Sequence, residues 1–136
     1  MVEVRGHAFM LGPALAAAIA PAALAQVGPG PVQTLPAARS MPRVMHVAVV
    51  AFGHAPCGTP AIRLGDFVDA DVAAGADPVT CSIYLNAAMF ARMPKAMVCT
   101  LVLHEYGHLA GRPDSDDPGS VMYRYYVRSD PRCRRA

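Results

Sequence analysis

The residues that can do chemistry crowd into one short stretch, His104-Glu105-Tyr106-Gly107-His108-Leu109-Ala110-Gly111-Arg112-Pro113-Asp114. Histidines four apart in a helix project from one face, one turn above the other. Two neutral imidazole nitrogens can then reach a single Zn²⁺. Glu105 stands at the edge of that face, where a carboxylate can hold a water at the metal and act as general base. Gly111 permits a left-handed turn that ends the helix. The chain folds back there, so Asp114 can complete a three-ligand set and leave a fourth position open, as catalytic rather than structural zinc sites do. The bland alternative is a solvated helix face with an internal ion pair.

The elements that must carry this stretch can be read around it. Pro94 starts a helix that Lys95 to Ala110 continues, with Met97, Leu101 and Leu103 as core candidates. Cys81-Ser82-Ile83-Tyr84-Leu85-Asn86 alternates polar and apolar side chains and predicts a half-buried strand. Ala61 to Leu64 and Phe67 to Val72 are further short strand candidates, interrupted by Gly65-Asp66 and Gly75. Val44, Val47, Ala48, Ala51 and Phe52 recur at helical spacing after Ser40-Met41-Pro42, and Gly53 is a fitting stop. Asp66, Asp69, Asp71 and Asp77 lack the pattern of a calcium loop and read as solvated edges. His46 and His54 have no spacing to the motif and read as surface or satisfied histidines.

From His104 to Tyr126 the chain resembles the metzincin metalloproteases, matrixins in particular. Their pattern is HExxHxxGxxH, a short Ser/Asp-Pro loop, then a Met-turn of the form x-Met-Tyr. Asp114-Ser115-Asp116-Asp117-Pro118-Gly119-Ser120-Val121-Met122-Tyr123 follows that register. The third-ligand position holds Asp114 in place of His, which is similar to snapalysin-type bacterial proteases. Asp116 and Asp117 are rival ligands, less favoured by register. The resemblance implies a minimal α+β metzincin-like fold with a small mixed sheet over the active-site helix. It implies that Glu105 is catalytic and that Met122 forms an apolar floor beneath the ligands. It implies further that Tyr123, Tyr125 and Tyr126 are candidates for lining the pocket of the substrate side chain beyond the scissile bond. In that family the strand preceding the helix is the sheet edge that pairs with substrate backbone, a position matched here by residues 81–86.

The beginning of the chain points to export. Arg5 and His7 precede a nearly apolar run from Phe9 to Leu24, and Ala23-Leu24-Ala25 fits a signal-peptidase site. The expected division is a signal peptide over 1–25, a Pro/Gly/Ala-rich lead-in over 26–42 and a catalytic domain over 43–136. A membrane anchor is the rival, but the run is short for a span and contains Pro13 and Pro21. All four cysteines, Cys57, Cys81, Cys99 and Cys133, fall in the mature part. An even count in a small exported domain predicts two disulfides, with three connectivities open. Cys81–Cys99, stapling the helix to the strand before it, and Cys57–Cys133 are the expected pair.

A net charge of +2 and the absence of aromatic residues interleaved with Arg128, Arg132, Arg134 and Arg135 argue against a nucleic-acid partner. The expected activity is that of a secreted, monomeric zinc metalloendopeptidase acting on a peptide or protein substrate, with no stable membrane association after signal cleavage. An inactive zinc- or peptide-binding module of the same fold would carry the same motif. A disulfide-stabilised binding domain without metal would require the motif to be accidental.

Overall fold

A computed structural model describes residues 2–3, 27–28, 30–34 and 41–135. Most of the expected signal peptide, its cleavage site and Ser40 lie outside those residues. Among these residues ten short elements follow one another. They are β1 (Val2–Glu3), β2 (Gln33–Thr34), α1 (Met41–Phe52), β3 (Ala61–Gly65), β4 (Ala74–Asp77), β5 (Ser82–Asn86), α2 (Ala87–Phe90), α3 (Lys95–Leu109), β6 (Tyr125–Tyr126) and a 3₁₀ helix over Pro131–Arg135. The architecture is α+β: a four-stranded mixed sheet of order β2-β3-β5-β4 and a separate antiparallel pair, β1 with β6. Cleavage after Ala25 would remove β1.

α3 is central. Eleven of its fifteen residues are buried, so it is covered on nearly every side, unlike an amphipathic surface helix. It packs on α1, on β4 and β5, and on the 3₁₀ helix. Met97, Leu101 and Leu103 join Ile83, Leu85, Val44 and Ala48 in the core, as the helical spacing predicts. α1 begins at Met41 with Pro42 in its first turn and stops at Gly53, whose φ of +80° only glycine adopts without strain. Among the described residues no helix is long and apolar enough to cross a membrane.

Several expectations for the sheet are overturned. Phe67–Val72 is not a strand. Phe67 makes one bridge to Val27, and the Asp69 carboxylate captures the Asp71 amide, offering that backbone a turn in place of a ladder. The strand lies later, at Ala74–Asp77, where small residues and Gly75 read as a break. Asp77 is not solvated but fully buried; its carboxylate accepts from the Val79 amide at 2.9 Å and the Thr80 hydroxyl at 2.6 Å, building the turn into β5. That turn lays β5 antiparallel on β4, while the other edge of β5 takes β3 in parallel. β5 is therefore interior and buried at all five positions rather than half-buried, and the outer strands of the sheet are β2 and β4.

Both disulfides form, with the third connectivity: Cys57–Cys81 and Cys99–Cys133, each with Cα atoms 5.6 Å apart. The parallel pairing explains the first. Ala61 is opposite Ser82, so the segments entering β3 and β5, which carry Cys57 and Cys81, arrive side by side. Cys99 faces away from that strand and meets the C-terminal 3₁₀ helix, where Cys133 is buried. Two disulfides fit an oxidising environment.

Candidate metal centre

α3 presents Thr100, His104 and His108 in one stripe, each a turn beyond the last. The helix then ends in a full Schellman motif. Gly111, at φ +82°, gives its amide to His108 O at 3.0 Å, and Arg112 gives its amide to Gly107 O at 2.8 Å. The reversed chain is fastened to the Met122 turn by the Ser115 amide on Met122 O at 2.7 Å. Asp114, held between these two anchors, turns its Oδ1 onto the histidine pair.

Three atoms converge. His104 Nε2 and His108 Nε2 are 3.1 Å apart, and Asp114 Oδ1 lies 3.4 and 3.3 Å from them. The far ring nitrogens identify what these atoms are. His104 Nδ1 is 2.8 Å from Val121 O and His108 Nδ1 is 2.9 Å from Arg112 O. A carbonyl only accepts, so each Nδ1 carries a hydrogen, and in its neutral form each ring offers a lone pair inward through Nε2. Contacts of 3.3–3.4 Å are long for charge-assisted bonds, which run about 2.7–2.9 Å. They match a tetrahedral ion with ligand bonds of about 2.0–2.1 Å, whose neighbouring ligand atoms stand about 3.3–3.4 Å apart. His104, His108 and Asp114 can thus hold a metal ion. Asp114 Oδ1 is buried without a hydrogen-bond partner among the described residues, as an unfilled ligand atom would be.

The rival carboxylates are spoken for. Asp116 is exposed and pairs with Arg124 at 2.6 Å, and Asp117 accepts the Gly119 amide at 2.8 Å in the turn after Pro118.

Glu105 is fully buried, and neither carboxylate oxygen has a hydrogen-bond partner among the described residues. Burial pushes its carboxyl above the ordinary glutamate value, with His104 and His108 pulling the other way. For Asp114 burial acts upward too, but its close contacts with the His104 and His108 rings outweigh it and hold the carboxyl well below its ordinary range. His108 shifts upward: burial opposes its charge, yet the Asp114 contact and the Glu105 charge overcome it. Two carboxylates beside two imidazoles make a local field that a divalent cation relieves.

Met122 is buried under the helix with its sulfur against Gly107, the residue just before His108. Phe52 closes the same spot from α1. Tyr123, Tyr125 and Tyr126 line a cavity of about 30 Å³ that also includes His104, Thr100, Leu101 and residues 118–121 and 127–131. The structure therefore brings together the residues singled out by spacing and sets the three tyrosines next to them. Two contributors are not legible from spacing. The buried Tyr106 hydroxyl donates to Gly53 O and accepts the Ala55 amide, both at 3.0 Å, pinning the end of α1 to the middle of the motif. Thr100, one turn before His104, accepts the Asp130 amide at 2.9 Å. Its position at i−4 from the first histidine was the available signal. No protein family, curated protein or solved structure matches this chain.

Proposed function

We propose that this chain is a secreted zinc-dependent metalloendopeptidase of metzincin-like type, with aspartate as third ligand. The observation that carries the reading is the convergence of three side-chain atoms, two imidazole nitrogens and one carboxylate oxygen, beside a buried glutamate with no hydrogen-bond partner among the described residues. Two imidazoles and one carboxylate suit zinc; magnesium and calcium favour all-oxygen sets. His104, His108 and Asp114 would hold the zinc, which would supply Lewis acidity toward a peptide carbonyl and toward water. Val121 O and Arg112 O keep both rings in the ligating tautomer. Glu105, at the edge of the histidine face, would take the proton of the attacking water at Oε and pass it to the leaving amine. The Asp114 charge, one more than a histidine ligand would bring, leaves the water less acidic than a three-histidine set would. An extended substrate has one outer strand near α3 to pair with, β4, and main-chain hydrogen bonds there would supply affinity. The two disulfides are consistent with an exported domain.

The test is metal analysis of the purified chain together with cleavage of a quenched peptide library. About one zinc per chain, with cleavage abolished by a chelator and restored by zinc, supports the reading. Zinc bound at that stoichiometry without cleavage would leave a binding module; no metal bound would remove the site altogether.

A further inference from the structure

Thr100 sits in a run, Met97-Val98-Cys99-Thr100-Leu101-Val102-Leu103, where every other residue is apolar, and it is buried. A threonine in mid-helix is a mild liability, since its hydroxyl competes for backbone. Here the hydroxyl is fully used. It donates to Ala96 O at 2.7 Å and accepts the Asp130 amide at 2.9 Å across 30 residues. Beside it, Cys99 is bonded to Cys133, and Asp130 caps the intervening turn through Arg132, accepting its amide at 2.9 Å and its guanidinium at 2.8 and 3.0 Å. The segment so fastened, residues 125–131, forms one wall of the cavity beside His104; Thr100 and Leu101 form part of the other. None of the three converging ligand atoms depends on it. His104 and His108 are oriented by Val121 O and Arg112 O, and Asp114 by the Gly111 turn and the Ser115–Met122 bond.

We infer that Thr100 is a positioning residue that, with the Cys99–Cys133 bridge, holds the 125–131 wall on α3 and so sets how the cavity accepts a substrate side chain, without contributing to the metal. The inference rests on the endopeptidase reading for the identity of the guest, but the tether itself does not. Removing the acceptor should free the wall while leaving the ligands in place.

The experiment compares full-length, metal-loaded wild type with Thr100→Val, which is isosteric but has no hydroxyl, and Thr100→Ser, which retains it. Metal content should stay at the wild-type value in both. Exchange of the Asp130 amide should accelerate about tenfold or more in Thr100→Val and stay near normal in Thr100→Ser. For a peptide with a bulky residue after the scissile bond, Thr100→Val should raise KM about 5–10-fold with kcat little changed. The matching peptide with glycine there should be cleaved by all three proteins alike. Unchanged Asp130 exchange in Thr100→Val overturns the tether. An equal loss on both peptides overturns the positioning role, because a general structural defect does not distinguish the guest side chain. Wild type that holds metal but cleaves neither peptide overturns the endopeptidase reading and with it the substrate half of this inference; the exchange arm then decides the tether alone.

Discussion

Asp114 and Glu105 are both carboxylates within one site, and their surroundings divide their roles. Asp114 aims one oxygen at two imidazole nitrogens, whereas the Glu105 carboxylate has no hydrogen-bond partner among the described residues. Asp114→Ala should therefore lose metal, by more than the roughly 10–100-fold that removing an outer-shell partner costs. Asp116→Ala should bind it nearly normally, since Asp116 belongs to Arg124; bound zinc after dialysis against a weak chelator reads both. Full retention in Asp114→Ala would move the third ligand elsewhere. Glu105→Gln keeps shape but cannot take a proton, so zinc should remain while cleavage falls by about 10²–10⁴ or more. Near-normal turnover would refute the general-base role. Asp130 offers a check on folding rather than chemistry. Arg132 holds its carboxyl below the ordinary range, with burial opposing. Because the folded value is depressed, the stabilisation is complete above about pH 5, beyond the unfolded aspartate value near 3.9, and is lost as pH falls through the folded value. Arg132 is part-exposed, so Asp130→Asn should cost only about 1 kcal/mol near neutral pH, and the gap should close in acid denaturant titrations.

Among the elements, α3 and the Met122 turn form a single mechanical unit whose contact point is Gly107. A methyl at that position would meet the Met122 sulfur and, at 3.2 Å, Phe52 Cζ. Alanine ordinarily gains about 1 kcal/mol over glycine in a helix. Here overpacking should win, and Gly107→Ala should destabilise by about 1–3 kcal/mol. Gly107→Ala combined with Met122→Ala should recover part of that loss, and denaturant melts of the four-member cycle measure the coupling. Additive losses would show that the two residues do not share the space. How legible these elements were depends on where their partners lie. α1, α3, β3 and β5 announce themselves through local apolar spacing, and His104, His108 and Asp114 through a motif that spans only a helix end and one turn. β4 does not, because Ala74-Gly75-Ala76 is recruited by β5 rather than by its own propensity. Tyr106 and Thr100 escape for a similar reason: Gly53, Ala55 and Asp130 are brought to them only by the tertiary fold. The disulfide pairing needed the parallel register of β3 and β5, which cysteine spacing does not encode.

For the whole molecule the two bridges are large terms. They close segments with separations of 24 and 34 residues, each worth about 3–4 kcal/mol on a chain-entropy estimate. Domains of this size have about 5–15 kcal/mol in total, so reducing both should unfold or nearly unfold the chain. Zinc should act in the opposite direction, adding about 2.7 kcal/mol when free metal is 100-fold above Kd, visible as a rise in Tm that His108→Ala abolishes. An unchanged Tm on adding zinc would count against a folded-state metal site. The two bridges also divide the covalent chain. Cys57–Cys81 and Cys99–Cys133 share no residue, so they make two successive rings. His104, Glu105, His108, Asp114, Met122 and the three tyrosines all lie inside the second ring, and so does the exposed stretch from Asp116 to Gly119. A cut in that stretch by a protease would add one water to the mass without releasing a fragment. The severed halves of the site would stay on one molecule and part only on a reducing gel. A clipped chain would therefore still carry His104, His108 and Asp114, and on a gel its ageing would show only after the bridge is reduced.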